Sequence, residues 1–446
     1  MATIRQSVQT KANILNPQAP KGFRDFYGPD ARLRRQVVDI FQSVFESYGY
    51  EPLETPAMEY AETILGKYGD EADKLVYQIE DFGGRKMALM YEMTASACRF
   101  VAENRNKLTF PFKRYQIQKA WRAEKPQKGR FREFLQCDAD IWGTKTVTID
   151  AEFIEMATLI MQRLGFKDFV TRINNRKIIN AVAAYAGASP SQFYDVTVSV
   201  DKLGKIGIDG VRKELDKRKI NKTISEKVLE IVALRGENNK LLAKIKSTLA
   251  DFPEGINGIE ELETIFNILR ESNFDNKFFR FDPSIVRGLA YYTGPVWEIE
   301  VIDGRVGSVA GCGRYDTLTK MISGVDIPAS GGSFGIERIC EVLKDKQMVN
   351  IPESVIRVLV TVFSPELASK SRDFGRFIRN QGINSEVYID PSVRLDKQLK
   401  YADKKGITWV VILGPDEAKN KTVTVKNMQT GKQKTVKETN LIKYLV

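Results

Sequence analysis

The sequence predicts an α+β domain that carries a helical insertion and is followed by a smaller α/β domain. Three observations support that prediction. Residues 112–142 read as two long strands joined by a polar, basic tip containing Pro126 and Gly129. Residues 178–276 change to Lys-rich helical stretches broken by Gly and Pro, with few strand signals. From residue 354 onward strands and helices alternate, the pattern of a partly parallel sheet. The 446 residues fit two to four domains, with cores that need no disulfide or metal staple.

Asp30 is placed to cap a helix over residues 31–48, ended by Gly49. Its Leu33, Val37, Val38, Phe41, Val44 and Phe45 form one apolar stripe. Residues 50–58 read as extended, interrupted by Pro52 and Pro56, and residues 94–104 and 150–164 read as helices. Strand texture returns at residues 284–302 and 307–316, and a glycine-rich strand end runs into a helix over 331–343. Residues 352–354 form a linker. Beyond it come strands at 356–363, 385–389 and 407–413, helices at 365–381 and 395–405, and a hairpin at 421–436.

Composition removes several chemistries. The chain has no histidine, which excludes Ser-His-Asp and Cys-His catalysis and His-ligated zinc. Cys98, Cys137, Cys312 and Cys340 are far apart and form no C-x-x-C, so they read as reduced thiols. No apolar run is long enough to span a bilayer. Residues 1–24 lack acids and hold Arg5 and Lys11, but without an amphipathic period; the expectation is a cytoplasmic protein.

The net charge is +11, and residues 354–446 carry 17 Lys and Arg against 9 Asp and Glu. Arg372, Arg376 and Arg379 share one helix face there, and Lys397, Lys400 and Lys404 share another. Either set alone reads as a solvated face. Two such faces in one small domain point to nucleic acid.

Neither a G-x-x-x-x-G-K-[ST] loop nor a G-x-G-x-x-G strand–helix turn is present, so any use of ATP requires another architecture. The hairpin is the most informative stretch. It delivers Arg122, a basic tip, and then Gln136, Asp138 and Asp140 alternating onto one strand face. Two acids on one face of an otherwise apolar strand are costly to bury without a cationic partner or ligand. The alternative is an exposed edge strand with its polar residues turned outward.

The hairpin KRYQIQKAWRAEKPQKGRFREFLQCDADIW resembles the second motif of class II aminoacyl-tRNA synthetases, and the histidyl-tRNA synthetase family in particular. PKGFRDF at 20–26, the following helix and Pro56, EMT at 92–94, IVRGLAYYTG at 285–294, SVAGCGRYD at 308–316 and GGSFGIERI at 331–339 are similar to further segments of that family, in family order. The resemblance implies a tail (1–19), a catalytic domain (20–345) built on an antiparallel sheet flanked by helices, a helical insertion (178–276) and an anticodon-binding α/β domain (354–446). It implies a cytoplasmic homodimer that activates histidine with ATP and charges tRNA. Magnesium would come with the ATP, without a tightly bound cofactor or a resident metal. The alternative is a non-catalytic paralogue that regulates or senses uncharged tRNA.

By the same resemblance Arg122 and Arg287 are catalytic, holding the α-phosphate from two sides. Arg314 and Arg338 join Arg122 in binding ATP. Asp140 and Tyr292 take the imidazole nitrogens, Glu92, Thr94 and Gln136 the α-amino group, and Tyr291 shapes the pocket. Gln127, Arg372, Arg376, Lys397 and Lys400 are the implied tRNA contacts. Guanidinium groups suit phosphoryl chemistry because they are always charged and bidentate. The sequence departs from the family pattern at Met90, Tyr91, Ala290 and Cys312, and at Asn175 in INNRK, where relatives often have INHRK.

Overall fold

The computed structural model describes residues 17–67, 73–127, 129–287, 291–349 and 351–445. Arg5, Lys11 and Ala290 lie outside the described residues. The chain forms two compact units. One comprises residues 34–348 with the N-terminal segment up to Asp25; the other comprises residues 26–33 and 349–446. Among the described residues no helix is long and apolar enough to cross a membrane.

In the first unit the strands are β1 (Glu51–Pro52), β2 (Met58–Tyr60), β3 (Gln78–Glu80), β4 (Lys86–Leu89), β5 (Phe112–Trp121), β6 (Glu133–Trp142), β7 (Phe169–Asn175), β8 (Phe279–Phe281), β9 (Pro295–Val301), β10 (Ser308–Arg314) and β11 (Ala329–Gly335). Eight of them make one sheet in the order β1-β5-β6-β11-β10-β9-β7-β8. Every pairing from β5 through β7 is antiparallel, and the two edges, β1 on β5 and β8 on β7, are parallel. β2, β4 and β3 form a separate small antiparallel sheet.

The two faces of the large sheet differ in chemistry. One is apolar. The helix Pro29–Ser47 lays Phe41 on Phe334, ring centroids 4.9 Å apart, and Phe45 on Tyr115 at 5.5 Å. The helix Thr148–Arg163 packs Phe153 on Trp297 at 5.7 Å on the same face. Each such ring contributes about 1.5–3 kcal/mol by leaving water. The first helix begins at Pro29, so Asp30 sits in its first turn rather than at its cap.

The other face carries Arg114, Gln116 and Gln118 of β5 beside Asp140, Asp138 and Gln136 of β6. The latter three lie in turn beside Gly331, Ser333 and Gly335 of β11. Side chains alternate between faces along a strand, so this stripe is set by register.

Between β7 and β8 the chain is helical, starting with Arg176–Ala186 and ending with Pro253–Glu271. Asn175 caps the first of these helices. Its Oδ1 accepts from the Lys177 N–H at 3.0 Å, and its Nδ2 donates to Glu261 at 2.7 Å and to the Gly258 carbonyl at 3.2 Å. An amide therefore serves as the cap of this helix.

The second unit holds β12 (Val358–Val360), β13 (Ser385–Val387), β14 (Trp409–Ile412), β15 (Thr422–Asn427) and β16 (Gln433–Lys437) in the order β13-β12-β14-β15-β16. The pairs β12/β13 and β12/β14 are parallel and the rest antiparallel. Val358 and Val360 pack with Phe374 and Ile378 of the helix Ala368–Asn380, whereas Leu359 packs with Ala402 of the helix Leu395–Lys404. The two helices thus cover opposite faces of the sheet, as right-handed crossovers to either side of a central strand require.

Candidate active site

β6 is interior to the sheet, between β5 and β11, so the exposed-edge alternative does not hold. Gln136, Asp138 and Asp140 are 4%, 1% and 1% exposed, and Arg114 is 0% exposed. Arg114 stands opposite Asp140 in the register, with Nη2 2.6 Å from Oδ2. Tyr315 donates its hydroxyl to Oδ1 of Asp140. Gln136 donates Nε2 to both oxygens of Asp138, at 3.0 and 2.9 Å.

Burial pushes the Asp138 carboxyl up to about 7, against the opposing charge of Arg114. Burial likewise pushes Asp140 up to about 6, against Arg114 and the Tyr315 hydrogen bond. Besides the atoms of that ion pair, Gln136 Oε1, Gln116 Oε1 and the Nε and Nη1 of Arg114 lack a hydrogen-bond partner. Buried polar groups left this way cost about 1–3 kcal/mol each, which marks a place prepared for a polar ligand.

Glycines of β10 and β11 make the room. A Cβ at Gly311 would lie 2.2 Å from Arg287 Nη2, one at Gly313 2.8 Å from the Tyr292 ring, and one at Gly331 2.1 Å from Asp140 Oδ1. These three side chains therefore lie directly on the strand backbone. Arg287 adopts φ 53°, a conformation uncommon for a residue with a Cβ, and is held by its ion pair with Glu298. Tyr291 and Tyr292 stand 4.8 Å apart, and Tyr291 meets Tyr315 edge-on at 5.7 Å. Tyr315, Tyr291 and Tyr292 thereby form a run of rings beside Asp140. Beside it, Glu92 accepts the backbone N–H groups of Thr94 at 2.6 Å and Ala95 at 2.8 Å, at the start of the helix Thr94–Asn104. Its charge is felt by both Asp138 and Asp140.

A second cluster is cationic. Arg122 donates Nε to the Tyr91 carbonyl at 3.2 Å and lies 4.6 Å from the Tyr91 ring and 5.1 Å from Phe134. Arg338 donates to the Ser308 carbonyl, and burial together with the charges of Arg130 and Arg122 pushes its guanidinium down. Arg338 with Arg122 and Arg130 in its field makes a ready anion site. Glu337 braces its border, pairing with Arg24 at 2.8 Å and Arg34 at 2.9 Å. Tyr91, a departure from the family pattern, serves as an aromatic platform for Arg122.

Arg314 does not join this cluster. Strand alternation turns it, with Cys312, to the helix-covered face. There it bonds Asp150 at 2.6 Å and the carbonyls of Thr146 at 2.9 Å and Thr144 at 3.3 Å. It is a buried brace between β10 and the helix Thr148–Arg163, not the ATP contact that the resemblance implies. Cys312 packs on Gly332 across that same face, away from the pocket, where burial pushes its thiol up and leaves it inert. Arg114, Tyr315 and Glu298 were missed as site residues. The signal for Arg114 is its register opposite Asp140, which requires pairing the hairpin strands residue by residue.

Gln127 is exposed at the hairpin tip, bridged to Arg130 through backbone hydrogen bonds of 3.1 and 2.9 Å. In the second unit Arg372, Arg376, Lys397 and Lys400 are all exposed. The two arginines and the two lysines stand on the helices that cover opposite sheet faces, so they do not form one continuous basic surface.

A largely antiparallel sheet with helices on one face, an arginine-lined polar pocket on the other, and a separate α/β unit is the architecture of a class II aminoacyl-tRNA synthetase. The family model described as histidyl-tRNA synthetase matches residues 22–339, and the anticodon binding domain model matches residues 357–446. The histidine–tRNA ligase of Cytophaga hutchinsonii is 38% identical over 440 residues, covering 94% of this chain and 96% of that protein. That of Bacteroides fragilis is 36% identical, covering 96% and 98%. The crystal structure of histidyl-tRNA synthetase from Nostoc sp. superposes with a TM-score of 0.85 at 32% identity, covering 97% and 99% of the two chains. The chain belongs to the histidyl-tRNA synthetase family.

Proposed function

We propose that this protein is a histidine–tRNA ligase. It activates histidine with ATP to histidyl-adenylate, releasing pyrophosphate, and passes the histidyl group to the 3′-terminal ribose of its tRNA. The observation that carries this reading is the buried polar stripe of Asp140, Gln136 and the tyrosines lying next to the cluster of Arg122, Arg130 and Arg338. One site takes a small polar side chain and the other takes phosphates. The substrate carboxylate attacks the α-phosphate while Arg122 and Arg287 stabilise the growing negative charge from two sides, and Arg338 holds the distal phosphates. Glu92, Thr94 and Gln136 receive the α-amino group, and Asp140 and Tyr292 the ring nitrogens. Tyr291 closes the pocket. Magnesium accompanies ATP as part of the substrate complex, and no tightly bound cofactor is needed.

The division into a catalytic part at 20–345, with its insertion at 178–276, and an anticodon-binding part at 354–446 goes with this reading. So does a cytoplasmic homodimer. The exposed Met58, Tyr60, Ile79 and Phe82 on the small sheet and its turn supply apolar surface for pairing. The direct test is ATP–pyrophosphate exchange with each amino acid offered singly. Exchange with histidine alone supports the reading. Exchange with another amino acid, or with none, overturns it.

A further inference from the structure

Arg114 is unusual among the charged groups of this site, because its guanidinium is sealed in the sheet. It is 0% exposed, lies 2.6 Å from Asp140 Oδ2 and 5.6 Å from the Trp142 ring, and makes no hydrogen bond through Nε, Nη1 or Nη2. A buried charge is tolerated only beside its opposite. The pair is therefore held by charge rather than by aligned hydrogen bonds, and Asp140 is split in its duties. Oδ1 takes the Tyr315 hydroxyl, and Oδ2 has no hydrogen-bond donor.

We propose that Arg114 is a positioning residue that sets the charge form of the histidine ring: it already balances Asp140, so Oδ2 accepts an N–H from a neutral ring. A protonated ring would place two cations on one carboxylate in a site closed to water. This inference rests on the histidine-ligase reading and adds to it the charge state of the substrate.

The other groups that bear on Asp140 are acidic or neutral. Glu92, before the helix Thr94–Asn104, and Asp138 on β6 disfavour its ionisation or share Arg114 with it, and Tyr315 favours it. The thiols of Cys98 and Cys312 and the Tyr50 phenol lie within its field and stay neutral, pushed up by burial. Among the described residues that bear on Asp140, Arg114 is the only cation.

The prediction concerns protons rather than affinity alone. In the wild type above pH 7, Asp140 and the free ring are both already in the forms that the complex needs, because a free imidazole titrates near about 6.5. Histidine binding should therefore take up no proton between pH 7 and 8.5, and its Kd should stay constant within about twofold. In Arg114→Met the same carboxylate and ring share one extra proton, because a carboxylate without its cation is not stable in that interior. Histidine binding should then take up about one proton, and Kd should rise by roughly tenfold per pH unit. Arg114→Lys should restore wild-type behaviour, and ATP affinity should not follow the pattern.

Calorimetry of histidine binding in buffers of different ionisation enthalpy reads the proton count directly. Uptake of a proton by the wild type overturns the proposal without any variant being needed. So does a folded Arg114→Met protein with zero uptake and a pH-independent Kd, or an equal pH dependence for ATP. A wild type that binds no histidine at all overturns the functional reading, and this inference with it.

Discussion

An alanine at position 311 would bring its methyl within 2.2 Å of Arg287 Nη2, and one at position 332 within 2.1 Å of Cys312 Sγ. The two clashes are similar in size but fall on opposite faces of the sheet. Gly311→Ala should displace the guanidinium and lower kcat for adenylate formation by about 10²–10³, the scale of losing one preorganised donor. Its melting temperature should hardly move, because the displaced group is the end of a flexible side chain. Gly332→Ala should cost about 1–3 kcal/mol of stability by overpacking, with kcat preserved in the folded protein. Measuring both quantities on both variants checks this, and matching behaviour of the pair would count against the face assignment. Asp138 gives a second residue-level prediction. Its folded carboxyl titrates near 7, above the ordinary 3.8, so the unfolded chain holds fewer protons between those values. Its contribution is complete at low pH and is lost as pH rises toward and through 7, by up to roughly 1.4 kcal/mol per pH unit. Asp138→Asn should flatten that slope in urea melts between pH 4 and 7. At this scale Asp140 and Gln136 were legible because strand alternation is local. Arg114 was not, because a lone Arg in FKRYQIQ reads as solvated until β5 is known to lie inside a sheet. Arg314 was assigned from a similar string, and a string carries no information about which face a residue occupies.

Among the elements, those with strong local signals were legible: the apolar stripe of the helix Pro29–Ser47, the hairpin β5–β6, and the strand–helix alternation after residue 354. β7, β8 and the small sheet were not. Three- and four-residue strands such as β3 and β4 carry too little periodicity, and β7 pairs with β8 across about a hundred intervening residues of helix. The basic helices of the second unit were each read correctly as helices, but which sheet face each covers depends on strand order. Because they cover opposite faces, one nucleic acid helix or loop engages one set far more than the other. Arg372→Glu/Arg376→Glu and Lys397→Glu/Lys400→Glu should therefore differ in tRNA charging. One double variant should lose affinity and reduce the salt dependence of binding by about two counterions, while the other stays near wild type. Equal losses from both would mean that the tRNA spans both faces.

At the scale of the whole chain, the division of labour can be tested by shortening it. Residues 26–33 belong with the second unit, and Arg32 donates to the carbonyls of Pro352 and Glu353 at 3.0 and 2.8 Å. A cut after Glu353 therefore keeps those acceptors, whereas one after Pro352 removes one of them. The chain ending at Glu353 should retain histidine-dependent pyrophosphate exchange while tRNA charging falls by more than about tenfold, since the fragment lacks the domain that carries most of the net positive charge. Unchanged charging would place the decisive tRNA contacts elsewhere.

Asn175 has a practical consequence for anyone who wants to watch the reaction. By capping its helix with an amide, it fills that position with a non-titrating side chain, in a chain that has no histidine anywhere. The protein therefore contributes no imidazole resonance of its own. Any imidazole signal in a purified sample comes from the substrate, free or bound, and histidine becomes its own reporter. With carbon-13 placed in its ring, it can be followed through binding, adenylation and transfer without assigning a single resonance of the enzyme, because no side chain of the protein carries that ring.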